Sequence, residues 1–317
     1  MRGAFFKALA DVAERDQRIF LAVGDLGFGV VEHFSSRFPE RFLNTGVAEQ
    51  NLTGIAAGLA LSGKIVFTYS IANFPILRCL EQIRNDVCYH EADVKIVSVG
   101  GGFAYGSLGP SHHATEDLAI LRSLPGMIVV APGDPFEAEA ATRAIAEHPG
   151  PCYLRLGRAG EPRVHRSQID FQLGRAIQVC EGNDLTLIST GGMLESCVRV
   201  VGLLRERGIQ PRLLSMHTIK PLDEEAVLKA AIETGTVFTI EEHSIVGGLG
   251  SAVAEVLAES GNVPVAFKRF GLPSSFSSIA GTQEFLRARY GLSPETLANA
   301  VISQMEKNTT LWAALEG

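Results

Sequence analysis

Short, mostly apolar runs that alternate with helical segments constrain the fold of this chain more than any other feature. Such runs lie at residues 19–23, 65–69, 94–99, 127–131 and 152–156, with segments of helical periodicity between them. A strand that is apolar on both faces is typical of a parallel sheet that helices cover on each side. The sequence therefore predicts an α/β fold, in which ligands bind at the carboxyl ends of the strands.

The alternation stops at a polar stretch and then resumes. Residues 160–172 are rich in Pro, Arg and polar side chains, and a new series of strands and helices begins at residue 185. A chain of 317 residues is long enough for two domains of about 150 residues each. We therefore predict two α/β domains with parallel sheets, at residues 1–165 and 184–305, joined by a linker at residues 166–183.

Composition and charge exclude several classes of function. The formal net charge is −7 and no basic run occurs, so neither nucleic acid nor an anionic membrane surface is a predicted partner. The five cysteines are scattered without CxxC spacing, which is typical of reduced thiols in a cytoplasmic protein. Gly or charged residues interrupt the apolar runs before they reach the ~18 residues of a membrane span. We expect a cytoplasmic protein.

One segment that joins a strand to a helix has an unusual composition, residues 41–63, RFLNTGVAEQNLTGIAAGLALSG. Gly46 permits a tight turn into the helix, and small residues such as Gly54 and Gly58 let a ligand or another helix approach the backbone. Glu49 lies in the first turn, where two interpretations are open. A first-turn acid stabilises the helix dipole, whereas a carboxyl in a dry site can share a proton with a bound base.

Two motifs resemble segments of one enzyme family. GVAEQ at residues 46–50, followed by small residues, resembles the cofactor-activating segment of thiamine-diphosphate enzymes of the transketolase type. A second family segment is similar to residues 108–138, LGPSHHATEDLAILRSLPGMIVVAPGDPFEA. The resemblance implies that Glu49 meets the aminopyrimidine of thiamine diphosphate and that His112 lies over the thiazolium, where an imidazole can donate or accept a proton. Without it, the second segment would be a loop that caps a helix and carries solvated histidines.

The family also suggests residues that hold the cofactor. In the family, the strand, loop and helix at residues 68–86 supply an aromatic ring that stacks on the aminopyrimidine, a contact of about 1 kcal/mol. Phe74 is the first choice for this ring and Tyr69 the second. Arg78 matches an arginine of the 1-deoxyxylulose-5-phosphate synthases, and Asp25 follows the first strand. The alternatives are a core phenylalanine and an arginine in a surface ion pair.

Four residues are predicted to bind substrate. His112 and the neighbouring His113 belong to the histidine segment of the family. Arg158 stands where transketolases use an arginine to bind the sugar phosphate, and Arg155 lies three residues before it. A guanidinium suits an oxyanion, although an arginine at the end of a strand is ordinarily solvated.

Nothing in the chain matches the segment that holds metal and diphosphate in whole transketolases, a Gly-Asp-Gly followed by an Asn. Gly24-Asp25-Leu26 and Gly133-Asp134-Pro135 lack the final Gly. A diphosphate needs cations, and the chain has neither a metal cage nor a P-loop. We assign no metal ligand to this chain. The resemblance therefore predicts an N-terminal transketolase subunit that carries the Mg²⁺ and diphosphate site, in an α2β2 heterotetramer with self-association.

Two departures from ordinary transketolases bear on the substrates. Leu108 replaces an aspartate that binds a donor hydroxyl, and Gly100 replaces a histidine at the start of the same loop. An unpaired substrate hydroxyl costs on the order of 1–3 kcal/mol. We therefore expect sugar substrates that differ from the standard pentose phosphates.

The predicted function is that of the C-terminal subunit of a two-chain transketolase. It would transfer a two-carbon ketol unit from a ketose donor to an aldose acceptor through thiamine diphosphate. One alternative is a 2-oxoacid-decarboxylating thiamine enzyme, similar to 1-deoxyxylulose-5-phosphate synthase or to a 2-oxoacid dehydrogenase β subunit. The other alternative is a non-catalytic scaffold subunit.

Overall fold

A computed structural model describes residues 1–166, 169–261 and 263–316, with side chains as far as residue 308. Two mostly parallel sheets organise these residues into two α/β domains, which confirms the predicted fold class. None of the helices in the described ranges combines the length and apolar character that crossing a bilayer requires.

The first domain is built on a sheet with helices on both faces. Its strands are β1 (Ile19–Val23), β2 (Phe42–Asn44), β3 (Ile65–Ile71), β4 (Val94–Val99), β5 (Ile128–Val130) and β6 (Cys152–Leu156). Its helices are α1 (Arg2–Arg15), α2 (Glu32–Arg37), α3 (Glu49–Leu61), α4 (Phe74–Leu77), α5 (Leu80–Gln82), α6 (Asp117–Arg122) and α7 (Pro135–Glu147). These strands lie in the order β5-β6-β4-β3-β1-β2 and pair in parallel.

Two apolar clusters explain why the strands are apolar on both faces. On one face, α1 and α7 pack on the sheet through residues such as Phe5 and Ile145, which join Phe67 in one cluster. On the other face, α3 contributes Leu52 to a cluster that includes Val66. Burial at about 25 cal/mol per Å² of apolar surface makes these contacts the main source of stability. The carboxyl edge of the sheet is left for polar side chains.

The second domain repeats this arrangement. Its strands are β7 (Ile177–Cys180), β8 (Leu185–Ser189), β9 (Pro211–Ser215), β10 (Thr218–Lys220), β11 (Thr236–Ser244) and β12 (Ala266–Leu272), and its helices are α8 (Leu194–Arg205), α9 (Glu224–Thr234), α10 (Leu249–Glu259), α11 (Gln283–Arg289) and α12 (Pro294–Glu316). The sheet order is β12-β11-β8-β9-β7, with β7 antiparallel to β9. Strand β10 instead pairs antiparallel with β5, so the second domain extends the first sheet by one strand.

Besides strand β10, which was not predicted, the structure differs from the sequence prediction in three places. The helix expected at residues 75–90 is broken into α4, α5 and a π-helical segment, Ile83–Cys88. The segment predicted as a linker, residues 166–183, contains β7, which edges the second sheet; residues 167 and 168 of that linker lie outside the described residues. Helices α11 and α12 follow the last predicted strand and were not predicted, although Leu297 and Val301 of α12 have helical spacing and pack in an apolar cluster.

Candidate active site

Glu49 is the first residue of α3 and its side chain is only 5% exposed. The turn before it depends on Gly46, whose φ of +71° is costly for other residues. Asn44, at the end of β2, fixes this turn because its Oδ1 accepts the N–H groups of Gly46 at 3.0 Å and Asp25 at 3.1 Å. Thr53 donates its hydroxyl to the Glu49 carbonyl at 3.0 Å. The buried carboxyl is thus held at the carboxyl edge of the sheet.

A continuous chain of contacts joins Glu49 to His112. Arg78 Nη1 lies 3.1 Å from Glu49 Oε2, and the Arg78 guanidinium lies over the Phe74 ring at 4.7 Å from its centroid. The Phe74 ring meets the His112 ring edge-on, with centroids 5.1 Å apart. The structure therefore brings together the four predicted residues Glu49, Phe74, Arg78 and His112. Arg78 is 54% exposed, whereas the Glu49 carboxyl that it contacts is 5% exposed.

His112 is placed for acid–base or hydrogen-bonding chemistry. Burial lowers the pKa of its imidazole, and the neighbouring His113 lowers it further. A lowered pKa favours the neutral form of the imidazole. The Ser111 hydroxyl lies 3.0 Å from Nδ1, which leaves Nε2 as the atom that can meet a substrate oxygen.

The segment that carries His112 is tied to both domains. Asn73 donates its amide Nδ2 to the carbonyl of Ser111 at 3.3 Å and to that of His113. From the second domain, the Ser244 N–H donates to the Thr115 carbonyl at 2.8 Å. The position of His112 is thus set by neighbours on several elements.

His113 and Arg155, which are both predicted to bind substrate, are buried in this chain, and their contact with substrate stays a prediction. His113 is buried, and its ring packs edge-on against Phe103 with Nε2 3.2 Å from the Gly106 carbonyl. Arg155 is also buried, and its Nε lies 2.9 Å from Asp117 Oδ2. Arg155 Nη2 donates to the carbonyl oxygens of Ala114 at 2.6 Å and Glu242 at 3.1 Å. Its donors therefore connect the two domains.

Tyr69, the second choice for the ring that stacks on the cofactor, lies in the core of the first domain, and its contact with the cofactor stays a prediction. Its ring is fully buried between Phe5, which stacks at 6.0 Å, and Phe6, which lies edge-on at 5.0 Å. Desolvation raises the pKa of its phenol. Tyr69 belongs to the α1 face of the sheet, apart from the Glu49 cluster. Asp25 is exposed, has a φ of +54°, and accepts the amide Nδ2 of Asn44 at 2.9 Å; its contact with cofactor stays a prediction.

Arg158 lies away from the Glu49 cluster, on the wall of a cleft of about 580 Å³ between the domains. Its guanidinium lies 5.5 Å from the Tyr105 ring centroid.

Tyr105 also accounts for the glycine at position 100, one of the two departures from the family pattern. A Cβ on Gly100 would lie 2.2 Å from Tyr105 Cδ2. The ring thus fills the space where a side chain at position 100 would begin. Leu108, the other departure, is 55% exposed.

Sequence reasoning did not single out Asn73 or Asp117. Asn73 directly precedes Phe74 after a buried strand, so its polar character at a carboxyl strand end was an available signal. Asp117 is buried and accepts the Tyr153 hydroxyl at 2.5 Å. Its partners Tyr153 and Arg155 lie more than thirty residues away in the sequence, so no local pattern indicates the contacts of Asp117.

The site fits part of a thiamine cofactor. A buried carboxyl beside a half-buried phenylalanine provides an acid partner and an apolar face for an aminopyrimidine. In the ranges that the structure describes, no group of three or more His, Cys, Asp or Glu side chains is arranged to hold a metal ion. The described residues at this site thus suit the aminopyrimidine part of the cofactor.

Comparisons with known proteins agree with this geometry. Residues 1–161 match the transketolase pyrimidine binding domain, and residues 174–297 match the transketolase C-terminal domain. The chain is 39% identical to an apulose-4-phosphate transketolase subunit of Phocaeicola vulgatus, over 96% of this chain and 97% of that protein. It is 38% identical to the 6-deoxy-6-sulfo-D-fructose transketolase subunit SqwH of a Clostridium species, over 97% of this chain and 95% of that protein.

A solved structure gives the same result. The fold matches a split gene transketolase, described as an inactive beta4 tetramer, with a TM-score of 0.87 and 40% sequence identity, over 96% of this chain and 97% of that one. Both domain matches and these relatives cover nearly the whole chain. The chain therefore belongs to the transketolase family, of which it carries the pyrimidine-binding and C-terminal domains.

Proposed function

We propose that this chain is the C-terminal subunit of a two-chain transketolase that moves a two-carbon ketol unit from a ketose to an aldose. The contact chain from Glu49 through Arg78 and Phe74 to His112 is the observation that carries this proposal. Two relatives that match over nearly their whole length, at 39% and 38% identity, are named transketolase subunits, and this favours ketol transfer over the 2-oxoacid-decarboxylating and scaffold alternatives. Relatives named 1-deoxy-D-xylulose-5-phosphate synthase are less similar, at 34–35% identity, and this chain spans less than half of their length.

Each residue of the cluster has a distinct task in this proposal. Thiamine diphosphate, when bound, supplies a nucleophilic carbon for breaking and forming carbon–carbon bonds. Glu49 would hold the aminopyrimidine and share a proton with its ring nitrogen, since its carboxyl is shielded from water. Phe74 would orient the pyrimidine plane, and His112 Nε2 would bind or exchange a proton with the substrate oxygens.

The complete site would need a second chain. The described residues include no metal cluster, and the net charge of −7 disfavours binding a diphosphate without cations. We therefore propose that an N-terminal transketolase subunit supplies the Mg²⁺ ligands and the diphosphate site, in an α2β2 heterotetramer. A cytoplasmic location and sugar substrates other than standard pentose phosphates are part of the same proposal.

The test is a ketol-transfer assay on this chain mixed with its candidate N-terminal subunit, thiamine diphosphate and Mg²⁺. We expect transfer from the mixture and none from this chain alone. Glu49→Gln keeps the size of the side chain but removes its charge, so we expect the rate to fall by about 100-fold or more. Glu206→Gln is the matched control, because Glu206 is exposed in the other domain.

Two results would contradict the proposal. Near wild-type rates for Glu49→Gln would remove Glu49 from the chemistry. Pyruvate-dependent CO₂ release without ketose-dependent aldose formation would identify the decarboxylating alternative instead.

A further inference from the structure

We propose that Asn73 is a positioning residue that sets His112 against Phe74. Its importance for catalysis rests on the proposed function, whereas its effect on the place of His112 is a property of this chain alone. Asn73 is 8% exposed and lies after β3, immediately before Phe74.

Asn73 forms hydrogen bonds with the two residues that flank His112 in the sequence. Its Nδ2 donates to the carbonyl of Ser111 at 3.3 Å and to the carbonyl of His113, and these are the residues on either side of His112. Two carbonyl acceptors require the NH₂ side of the amide, because the amide oxygen would face them with like partial charge. The orientation of the Asn73 side chain is therefore determined by its surroundings.

The segment that carries His112 has little regular structure to hold it. Pro110–His112 is a short 3₁₀ turn, in which the His112 N–H donates to the Gly109 carbonyl at 2.9 Å. The Asn73 amide links this turn to the start of α4, where the Leu77 N–H donates to the Asn73 carbonyl at 2.9 Å. Phe74 is the residue after Asn73. The Asn73 side chain therefore joins the turn that carries His112 to the backbone that carries Phe74, and these two residues form the edge-on ring contact.

This link also sets the distance from His112 to the rest of the cluster. Phe74 lies under the Arg78 guanidinium, and Arg78 pairs with Glu49. If Asn73 loses its donors, the 3₁₀ turn can shift while Glu49 stays fixed at the start of α3. A displacement of about 1 Å in a catalytic group typically costs on the order of 100-fold in rate.

The experiment compares Asn73→Ala and Asn73→Asp with the wild-type chain. Alanine removes both donors, and aspartate replaces them with an acceptor of almost the same shape. Asn183→Asp makes the same chemical change at an exposed residue of the second domain and is the matched control. Circular dichroism and thermal melting establish that each variant is folded.

The first readout does not depend on activity. The full chain contains 8 histidines, so His-labelled protein gives a short set of imidazole NMR signals, and a His112→Gln variant assigns one of them. Because burial lowers the pKa of His112, release of the turn should move that pKa up toward its ordinary value of 6.5 in both Asn73 variants, and further in Asn73→Asp. Asn183→Asp should leave it unchanged.

The second readout uses the reconstituted two-subunit complex. We expect kcat to fall by about 10- to 100-fold in both Asn73 variants, with the donor KM much less affected, since His112 acts on the reacting oxygens. Activities are expressed per folded complex, so that a loss of stability alone does not count as a loss of kcat.

The outcomes separate the two proposals. An unchanged His112 titration in Asn73→Ala overturns the positioning role, whatever the activity, because a shift confined to Asn73→Asp can come from the added negative charge alone. A titration that shifts in both variants supports the positioning role. If the wild-type complex then performs no ketol transfer, that result refutes the proposed function alone. A kcat loss that only follows the folded fraction overturns the catalytic importance of Asn73.

Discussion

A buried acid and a buried histidine at the end of β11 lead to an unusual prediction about stability and pH. Glu241 accepts the N–H groups of Leu249 and Gly250 at 2.8 Å each. His243 Nδ1 donates to the Ser244 carbonyl at 2.7 Å. The two side chains are fully buried, with Glu241 Oε2 3.7 Å from His243 Nδ1. Burial raises the pKa of Glu241 to about 7 and lowers the pKa of His243 to about 4.

The two groups affect stability in opposite directions. Folding raises the pKa of Glu241 from 4.5 to about 7. Its contribution to the free energy of unfolding is therefore fully present below pH 4.5 and is lost as the pH rises through 7. The pKa of His243 is lowered on folding, from 6.5, so its contribution is present above pH 6.5 and is lost as the pH falls through 4. At about 1.36 kcal/mol for each pKa unit, each group contributes on the order of 3 kcal/mol. Between about pH 4.5 and 6.5 the two contributions oppose each other.

Single substitutions should reveal the opposed contributions. We expect Glu241→Gln to become more stable relative to wild type as the pH rises from 4.5 to 7.5, and His243→Gln to become less stable relative to wild type over the same range. The measurement is the free energy of unfolding in urea at each pH, taken as a difference from wild type so that other titrating groups cancel. Glu206→Gln, an exposed control, should follow wild type. Variants whose differences from wild type do not change with pH would refute the linkage argument.

Two further substitutions test packing and capping. Gly100→Ala should lower the free energy of unfolding by about 1–3 kcal/mol more than Gly29→Ala. Both glycines have positive φ, but only a Cβ at Gly100 would meet a neighbouring side chain, Tyr105. Equal losses of stability in urea unfolding would mean that the Tyr105 ring moves freely. Asp134→Ala should lower the free energy of unfolding by about 2 kcal/mol or more. Asp134 caps α7 and also accepts the His165 N–H at 2.9 Å. An unchanged midpoint of thermal unfolding would contradict this prediction.

The strands could be predicted from the sequence wherever they are apolar on both faces. Val94–Val99, Cys152–Leu156 and Leu185–Ser189 have the predicted bounds, because a short run in which most residues are apolar is buried between two layers of helices. Lys95 and Arg155 are the charged exceptions in these runs, and both are buried. Strand β10 could not be predicted in this way. It has three residues, and its partner β5 lies about ninety residues earlier in the other domain.

The residues of the site also differ in whether a local sequence pattern could predict them. Glu49, Phe74 and His112 were predicted from family motifs, and the structure brings them into one contact chain with Arg78. Tyr69, the second choice for the cofactor ring, lies in the apolar cluster on the α1 face of the sheet. It is two residues from Phe67, so the alternation of a strand places both on the α1 side of the sheet. The burial of Arg155 depends on distant partners, and no local pattern indicates it.

The second domain shapes the site although none of its residues belongs to the contact chain. The His112 segment lies between Asn73 on one side and the end of β11 on the other, where the Ser244 N–H donates to Thr115. Arg155 reinforces this arrangement, because a single guanidinium donates to the carbonyl of Ala114 in the first domain and to that of Glu242 in the second. Buried donors that lose their acceptors cost about 1–3 kcal/mol each, so the two domains resist separating at this point. Rigid placement of His112 therefore follows from the contact between the domains as much as from its own loop.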